Sequence, residues 1–140
     1  MARRPRRHVH STLPGMKVIA TWDHGLPANA CMLQVLGQGG SAMDAVVQAG
    51  MLTEISNGQR SVGLGGLPDR DGLVTLDAAV MGDDARAGSV AAVRGVAHPV
   101  QLARHVMDRT PHVMLVGEGA QRFAREVGMA VREPPLDDEQ

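Results

Sequence analysis

The sequence predicts an α/β protein in which helices are layered on a sheet. Short runs of β-branched and apolar residues alternate with stretches of helical periodicity, and the connections between them are short. The composition, 44% hydrophobic and 21% charged, is that of a globular chain, and 140 residues are enough for one domain or a large part of one. We expect the folded part to cover residues 16–129, between a flexible Arg-rich tail at 1–15 and a disordered acidic tail at 130–140.

The first half is predicted to form one strand followed by two helices. Residues 18–22 are β-branched and apolar, which favours a short buried strand. Pro27 suits the first turn of a helix, and the apolar residues of that helix have the spacing of a single face: Ala28, Cys31, Met32, Val35 and Leu36. Glycines within 37–40 end this helix. The Ser-x-x-Asp pattern at 41–44 is typical of a capping box and predicts a second, buried helix over residues 42–52.

The second half is predicted to form three strands and two helices. Runs of apolar, partly β-branched residues at 73–81, 88–96 and 112–116 have the length of strands. One helix is expected to begin at Pro99 and another to end at Gly128; their apolar faces comprise Leu102, Ala103, Val106 and Met107 in the first and Ala120, Phe123, Ala124 and Val127 in the second. The predicted order is β, α, α, β, β, α, β, α. Because the strands are few and apolar, we expect one face to be covered by chain outside these 140 residues.

The composition argues against several functional classes. Aromatic residues make up only 1% of the chain, so nucleic-acid binding by base stacking is not expected. The single cysteine, Cys31, excludes an internal disulfide and a cysteine-built zinc site; the six His residues lack ligand spacing, and we expect no metal and no cofactor. No apolar run reaches 18 residues, so no membrane span is expected, and the Arg-rich start is not followed by the apolar stretch of a secretory leader. These features favour the cytoplasm.

Two glycine-rich turns resemble phosphate-binding loops without meeting their requirements. The Gly-Glu-Gly at 117–119 follows a predicted strand, but Arg122 stands where a dinucleotide fingerprint has its third glycine. The segment 61–66 lacks a following Lys-Ser/Thr pair, and Pro68 removes a backbone donor. We interpret this segment as a structural loop whose backbone presses against another part of the molecule, with these residues as its key positions: Ser61, Gly63, Gly65 and Gly66.

Two further side chains are candidates for a site. Asp77 lies within an apolar strand, where a carboxylate is costly unless it is paired. We expect it to hold a loop amide or an arginine, and a direct catalytic part is the alternative. Trp22 is the only Trp and stands at the end of the first predicted strand, and strand ends border the clefts of α/β folds. The residues alone leave open whether Trp22 lines a cleft or belongs to the core.

Five segments occur in an order that resembles a known family: Ile-Ala-Thr-Trp at 19–22, Gly-Gly-Ser-Ala-Met-Asp-Ala-Val at 39–46, Ser-Val-Gly-Leu-Gly-Gly-Leu-Pro at 61–68, Leu-Asp-Ala at 76–78 and Thr-Pro-His-Val-Met-Leu-Val-Gly-Glu-Gly-Ala at 110–120. Together they resemble the N-terminal half of the glycosylasparaginase and plant-type asparaginase/isoaspartyl peptidase family, over about residues 16–129. The sequence of residues 61–66 is nearer to the glycosylasparaginase branch, since the isoaspartyl peptidase branch tends to carry Asn-Ala-Gly there. Met-Gly-Asp at 81–83 inverts the family's usual Met-Asp-Gly.

The resemblance implies an αββα sandwich and an N-terminal-nucleophile hydrolase whose precursor cuts itself into α and β chains. In such enzymes the new N-terminal Thr of the β chain attacks the side-chain amide of an asparagine derivative, and its own α-amine acts as the base. For this chain the resemblance implies a Thr-initiated β chain as partner and a small asparagine-type substrate. It also implies a substrate-binding role for Trp22 and no catalytic residue within the chain.

The chain departs from the family pattern because it carries no N-terminal Thr. It begins with Met1, and its last Thr is Thr110, so the nucleophile is expected beyond Gln140. Three alternatives follow from the sequence. The chain is the α portion of a two-chain amidohydrolase, or a truncated and inactive fragment that acts at most as an interaction or structural protein, or an unrelated small α/β binding module.

Overall fold

The computed structural model describes residues 15–22, 25–56 and 60–132, and its elements follow the predicted order from the first helix onward. The four helices of this part are α1 (Gly25–Gly37), α2 (Ala42–Glu54), α3 (Pro99–Arg109) and α4 (Gly117–Glu126), with a single 3-10 turn at Gly63–Gly65. The three strands are β1 (Leu76–Met81), β2 (Ala87–Val93) and β3 (Met114–Val116). The predicted tail segments at 1–14 and 133–140 lie outside the described residues.

The three strands form one mixed sheet in the order β1-β2-β3. β1 and β2 pair antiparallel as a hairpin, and β2 pairs parallel with β3 through the α3 crossover. Helix α3 begins with Pro99 at its first turn, where the missing N–H is not needed. Ser41 and Asp44 form the capping box that starts α2. The α/β prediction is therefore confirmed, with strands shorter than the sequence indicated.

The predicted first strand is absent. Residues 18–22 pair with no strand in the described part of the chain, and Ile19 is 87% exposed. Val18 packs against the cluster between α1 and α2. Strand propensity reports how well a side chain fits a pleated, half-buried surface, and it does not supply the neighbouring strand that must bond the backbone. The β-branched composition was correct, but the prediction of a buried strand was wrong.

The main core lies between one face of the sheet and helices α3 and α4. Its centre is formed by buried residues of β2, of α3, of α4 and of the segment that follows β2: Val90, Val93, Val96, Leu102, Ala103, Val106, Ala120 and Ala124. Gly88 of β2 permits the close approach of α3, since a Cβ at position 88 would lie 2.2 Å from the carbonyl oxygen of Ala103. A smaller cluster holds α1 against α2 through Ala28, Met32, Ala45 and Ala49.

Within the part of the chain that the structure describes, the opposite face of the sheet carries exposed side chains. On this side, which we call the open sheet face, the strand register places Ala79 and Met81 of β1, Ala87, Ser89 and Ala91 of β2, and Met114 and Val116 of β3. Met81 is 68% exposed, Met114 55% and Val116 54%. The residues that alternate with them point toward α3 and are buried or half-buried. The most exposed large side chains of this face are thus apolar, whereas Ser89 lies buried at its centre and donates its hydroxyl to the carbonyl of Val113 at 2.8 Å.

The end of the described chain returns to the sheet. Val131 forms an isolated antiparallel bridge with Val96, and the N–H of Arg132 donates to the carbonyl of Gly95 at 2.8 Å. Residues 130–132 therefore lie against the folded part, although the sequence assigned them to the tail. Among the described helices the longest have 13 residues, and none is both long and apolar enough to span a bilayer.

Candidate functional site

A cleft of about 390 Å³ lies between residues 19–22, helices α1 and α2, and strand β1. Its volume falls within the range of small-molecule pockets. The walls are mainly apolar, with Met32 of α1, Val46 of α2, Ala78 of β1 and Val100 of α3 among them. Polar groups come from Thr21, Thr53 and Glu54. The cleft therefore has the composition of a binding site for a small molecule, with apolar walls and few polar groups.

Trp22 lines this cleft and is 71% exposed, so it is not a core residue. Its carbonyl accepts the N–H of Gly25 at 2.8 Å, which turns the chain into α1 directly after the indole. A large, rigid side chain at an open rim offers extensive contact area at little entropic cost to a bound molecule. Of the two alternatives that the sequence left open, the structure places Trp22 at the cleft.

Glu54 is the charged residue that sequence reasoning missed. It ends α2, is only 6% exposed, and lines the cleft. One carboxylate oxygen, Oε1, accepts the N–H of Val100 at 2.9 Å, and the other, Oε2, lies 3.3 Å from Nδ1 of His98. Burial raises the pKa of Glu54, and the Val100 amide and His98 act in the opposite direction. No local pattern indicates this role, because both partners lie more than 40 residues away in the sequence.

The glycine-rich loop is seated against the end of α2. Gly63 is buried with φ +70°, and a Cβ there would lie 1.8 Å from the carbonyl oxygen of Glu54. The N–H of Gly66 donates to the carbonyl of Gly63 at 2.9 Å, which closes the turn. Of the other predicted loop residues, Ser61 and Gly65 are exposed and neither lines the cleft. The loop instead contributes Val62 to the cleft wall.

Asp77 lies outside the cleft and is exposed, so the expectation of a buried carboxylate was wrong. Its Oδ1 accepts the N–H of Ala92 at 2.7 Å. Leu76 pairs with Val93 and Ala78 with Val90, so Asp77 alone opposes two residues of β2 in a β-bulge. Ala92 has φ +52° in this bulge. The carboxylate thus holds a strand amide at a distorted point of the hairpin.

The described residues contain no group of three or more His, Cys, Asp or Glu side chains placed to hold a metal ion. Among the described residues, the hydroxyls that line the cleft are those of Thr21 and Thr53. Thr53 Oγ1 donates to the carbonyl of Ala49 at 2.9 Å, as Thr side chains commonly do within a helix. Thr21 and Thr53 both lie inside the chain, so neither carries the free α-amine that activates an N-terminal Thr.

A family model described as asparaginase matches residues 24–139. The chain belongs to this asparaginase family. The resemblance stated from the sequence is thereby confirmed, and the alternative of an unrelated binding module is excluded. Trp22 lies just before the matched range, so its assignment to the site depends on the geometry of the cleft.

The curated relatives of this asparaginase-family chain carry names of more than one kind. It is 50% identical over 111 residues to an N(4)-(beta-N-acetylglucosaminyl)-L-asparaginase of Elizabethkingia miricola, covering 79% of this chain and 33% of that protein. It is 45% identical over 97 residues to an isoaspartyl peptidase/L-asparaginase of Rattus norvegicus, covering 68% and 28%. A plant-type L-asparaginase of Pyrococcus abyssi is 44% identical over 100 residues, covering 71% and 32%. The chain thus spans about a third of the length of the curated relatives it matches.

Proposed function

We propose that this chain supplies the scaffold and one wall of the substrate cleft of an N-terminal-nucleophile amidohydrolase. The enzyme would be completed by a Thr-initiated β chain and would cleave the side-chain amide of asparagine, or of N4-glycosylated asparagine, to aspartate. The observation that carries the proposal is the cleft beside Trp22, in a chain of the asparaginase family. Its walls are mainly apolar, and its hydroxyls among the described residues, those of Thr21 and Thr53, carry no free α-amine, so in this proposal the cleft holds the substrate and another group attacks it.

The chemistry assigned to the β chain follows from the properties of its N-terminal residue. The free α-amine accepts the proton of the Thr hydroxyl as the oxygen attacks the amide carbon. The resulting oxyanion needs donors to stabilise it, and the amine or ammonia leaves with the returned proton. Water then hydrolyses the acyl-enzyme and releases aspartate. In this scheme the present chain holds the substrate, with Trp22 packed against it, and excludes water from one side.

The open sheet face supports the proposal that a second layer, supplied by the β chain, packs against this chain. Its most exposed large side chains, Met81 on β1 and Met114 and Val116 on β3, are apolar. Apolar patches of this kind mark interaction surfaces or aggregation risks in soluble proteins. An αββα sandwich covers such a face with the sheet of the other half. We therefore propose this face as the surface that packs against the β chain.

Turnover tests the proposal directly. The 140-residue chain is purified alone and together with a Thr-initiated chain taken from the C-terminal part of one of its relatives. Release of ammonia and aspartate is measured with L-asparagine and with N4-(β-N-acetylglucosaminyl)asparagine. We expect activity only from the pair. Turnover by the chain alone would overturn the assignment of the nucleophile, and a chain that binds no such partner would favour the inactive-fragment alternative.

The role of Trp22 is tested by replacement in the active pair. Trp22→Ala is expected to lower kcat/KM by at least tenfold while changing the melting temperature little, because the side chain lines the cleft and is largely exposed. Leu26→Ala is the matched control, since Leu26 is 79% exposed on α1 and does not line the cleft. A fall in melting temperature without a loss of substrate use would make Trp22 a structural residue.

The open sheet face is tested on the chain alone. We expect the isolated chain to bind a hydrophobic dye or to self-associate, and the β chain to suppress both effects. A monodisperse monomer that melts cooperatively and binds no dye would count against a missing layer.

A further inference from the structure

Helix α3 is capped by a residue distant in the sequence. Its own N-cap residue, His98, makes no side-chain bond to the first turn, and Pro99 has no N–H. Val100 therefore carries the first free donor of the helix, and the carboxylate of Glu54 accepts it from 46 residues away. A carboxylate is the side chain best suited to this position, since it satisfies an unpaired N–H and faces the positive end of the helix dipole.

The Glu54–Val100 bond also fixes a wall of the cleft. The side chain of Val100 lines the cleft and packs so closely on Gly50 of α2 that a Cβ at position 50 would lie 3.1 Å from its Cγ1. Because the N–H of Val100 is bound by Glu54, its side chain has little freedom to withdraw from the cleft. Burial of Glu54 favours this bond, since a buried carboxylate without a partner would be costly.

The backbone of the same residue seats the glycine-rich loop. Gly63 approaches the carbonyl of Glu54 more closely than a residue with a Cβ could. Val62, the neighbour of Gly63, is the loop residue that lines the cleft. Glu54 therefore contacts both segments that carry Val62 and Val100 into the wall, one through its backbone and the other through its carboxylate.

We propose that Glu54 is a positioning residue of the cleft, which sets Val62 and Val100 at the spacing needed to hold a small asparagine-type substrate. For its substrate this inference rests on the proposed function. Glu54 acts through its neighbours and takes no part in bond making. Its carboxylate, already bound to Val100 and near His98, is not required as a ligand of the substrate.

Kinetics of the two-chain protein test the proposal. In Glu54→Ala we expect KM for the asparagine substrate to rise at least tenfold, with kcat per folded molecule changed less than threefold. Glu54→Gln keeps an oxygen that accepts the Val100 N–H, and it should restore KM to within threefold of the wild type. Glu118→Ala, which removes an exposed Glu from the first turn of α4, is the matched control and should change neither constant. An unchanged KM in Glu54→Ala, or a KM in Glu54→Gln as high as in Glu54→Ala, would overturn the proposal.

A second variant covers the case in which Glu54→Ala does not fold. Glu54→Asp shortens the side chain by one methylene and should raise KM to an intermediate value. A wild-type KM in Glu54→Asp would contradict the need for close placement of the carboxylate.

A structural readout separates this inference from the proposed function. Amide hydrogen exchange is measured on the 140-residue chain, without substrate or partner. Glu54→Ala should accelerate exchange at Val100 at least tenfold, because it removes the acceptor of that N–H, while the amides of α4 remain unchanged and Glu54→Gln resembles the wild type. Absence of turnover by the wild-type pair would defeat the proposed function alone. Unchanged exchange at Val100 in Glu54→Ala would defeat the positioning role.

Discussion

Replacement of Gly88 by Ala is predicted to push helix α3 away from strand β2. The added Cβ would lie 2.2 Å from the carbonyl oxygen of Ala103, 2.5 Å from the nitrogen of Met107 and 2.7 Å from its Cβ. Ordinary van der Waals contacts to a Cβ lie at 3.4–4 Å. Two of the three blocking atoms are backbone, so rotation of a side chain cannot relieve the overlap. Helix α3 must therefore move by roughly 1 Å or more against a close-packed core.

The loss of stability in Gly88→Ala depends on the core residues that α3 buries against the sheet. The α3 residues Leu102, Ala103 and Val106 are completely buried against the sheet. Overpacking of a core costs about 1–3 kcal/mol, and a backbone clash belongs at the upper end. Removal of a glycine from a strand returns about 0.5–1 kcal/mol of backbone entropy. We expect a net loss of about 2 kcal/mol, which is roughly 5–10 °C in melting temperature for a chain of this size.

The assay is urea denaturation at low protein concentration, followed by circular dichroism at 222 nm. Gly119→Ala is the matched control, because a Cβ at position 119 meets no atom within 4 Å and the residue lies in α4. There the substitution should stabilise the helix by about 0.5–1 kcal/mol. If Gly88→Ala unfolded at the wild-type midpoint while Gly119→Ala behaved as expected, the close approach of α3 to β2 would be refuted.

Three further predictions concern local features of the fold. Ala92 has φ +52°, a conformation that costs a non-glycine residue about 1–2 kcal/mol. In urea titration, Ala92→Gly should therefore stabilise the folded chain by about 0.5–1 kcal/mol and Ala92→Val should destabilise it. The opposite order of stability would argue against the bulge. Burial raises the pKa of Glu54 above its usual 4.5, so the folded chain binds the carboxyl proton more tightly than the unfolded chain does. The free energy of unfolding therefore falls as pH rises from 4.5 through the folded pKa. Glu54→Gln should remove this pH dependence from a series of melting temperatures, and an unchanged pH dependence would exclude Glu54 as its source. Ser41→Ala removes the capping box of α2 and should cost about 1 kcal/mol by urea denaturation, whereas a loss below about 0.3 kcal/mol would show that the cap contributes little.

Much of the helical structure could be predicted because its signals are local. The Ser41–Asp44 box, Pro99 at the start of α3 and the apolar faces of the helices depend on residues within a few positions of one another. The strand at 18–22 could not be decided in this way, since pairing requires a neighbour that propensity does not supply. Likewise, Asp77 was correctly singled out as a residue that holds an amide, but its partner is Ala92 on the adjacent strand and its side chain is exposed.

In the candidate site, too, local features could be predicted from the sequence and long-range contacts could not. Trp22 and the glycine-rich loop were singled out from their residue types and motif order, and the substrate-binding role of Trp22 stays a prediction. Glu54 was not singled out, because neither its burial nor its bond to Val100 leaves a trace in the neighbouring sequence. The same holds for the contribution of Val62, which depends on how Gly63 packs against the end of α2.

The amino-acid sequence by itself determined the α/β class, the order of the helices and the asparaginase family. Periodicity, caps and motifs each depend on residues that are close together in the sequence. Only the tertiary structure decided which face of the sheet is left open, where the cleft lies and which buried carboxylate holds its walls. Those features arise from contacts between residues that are far apart in sequence. They form only when packing brings the backbone of one element within hydrogen-bond distance of another.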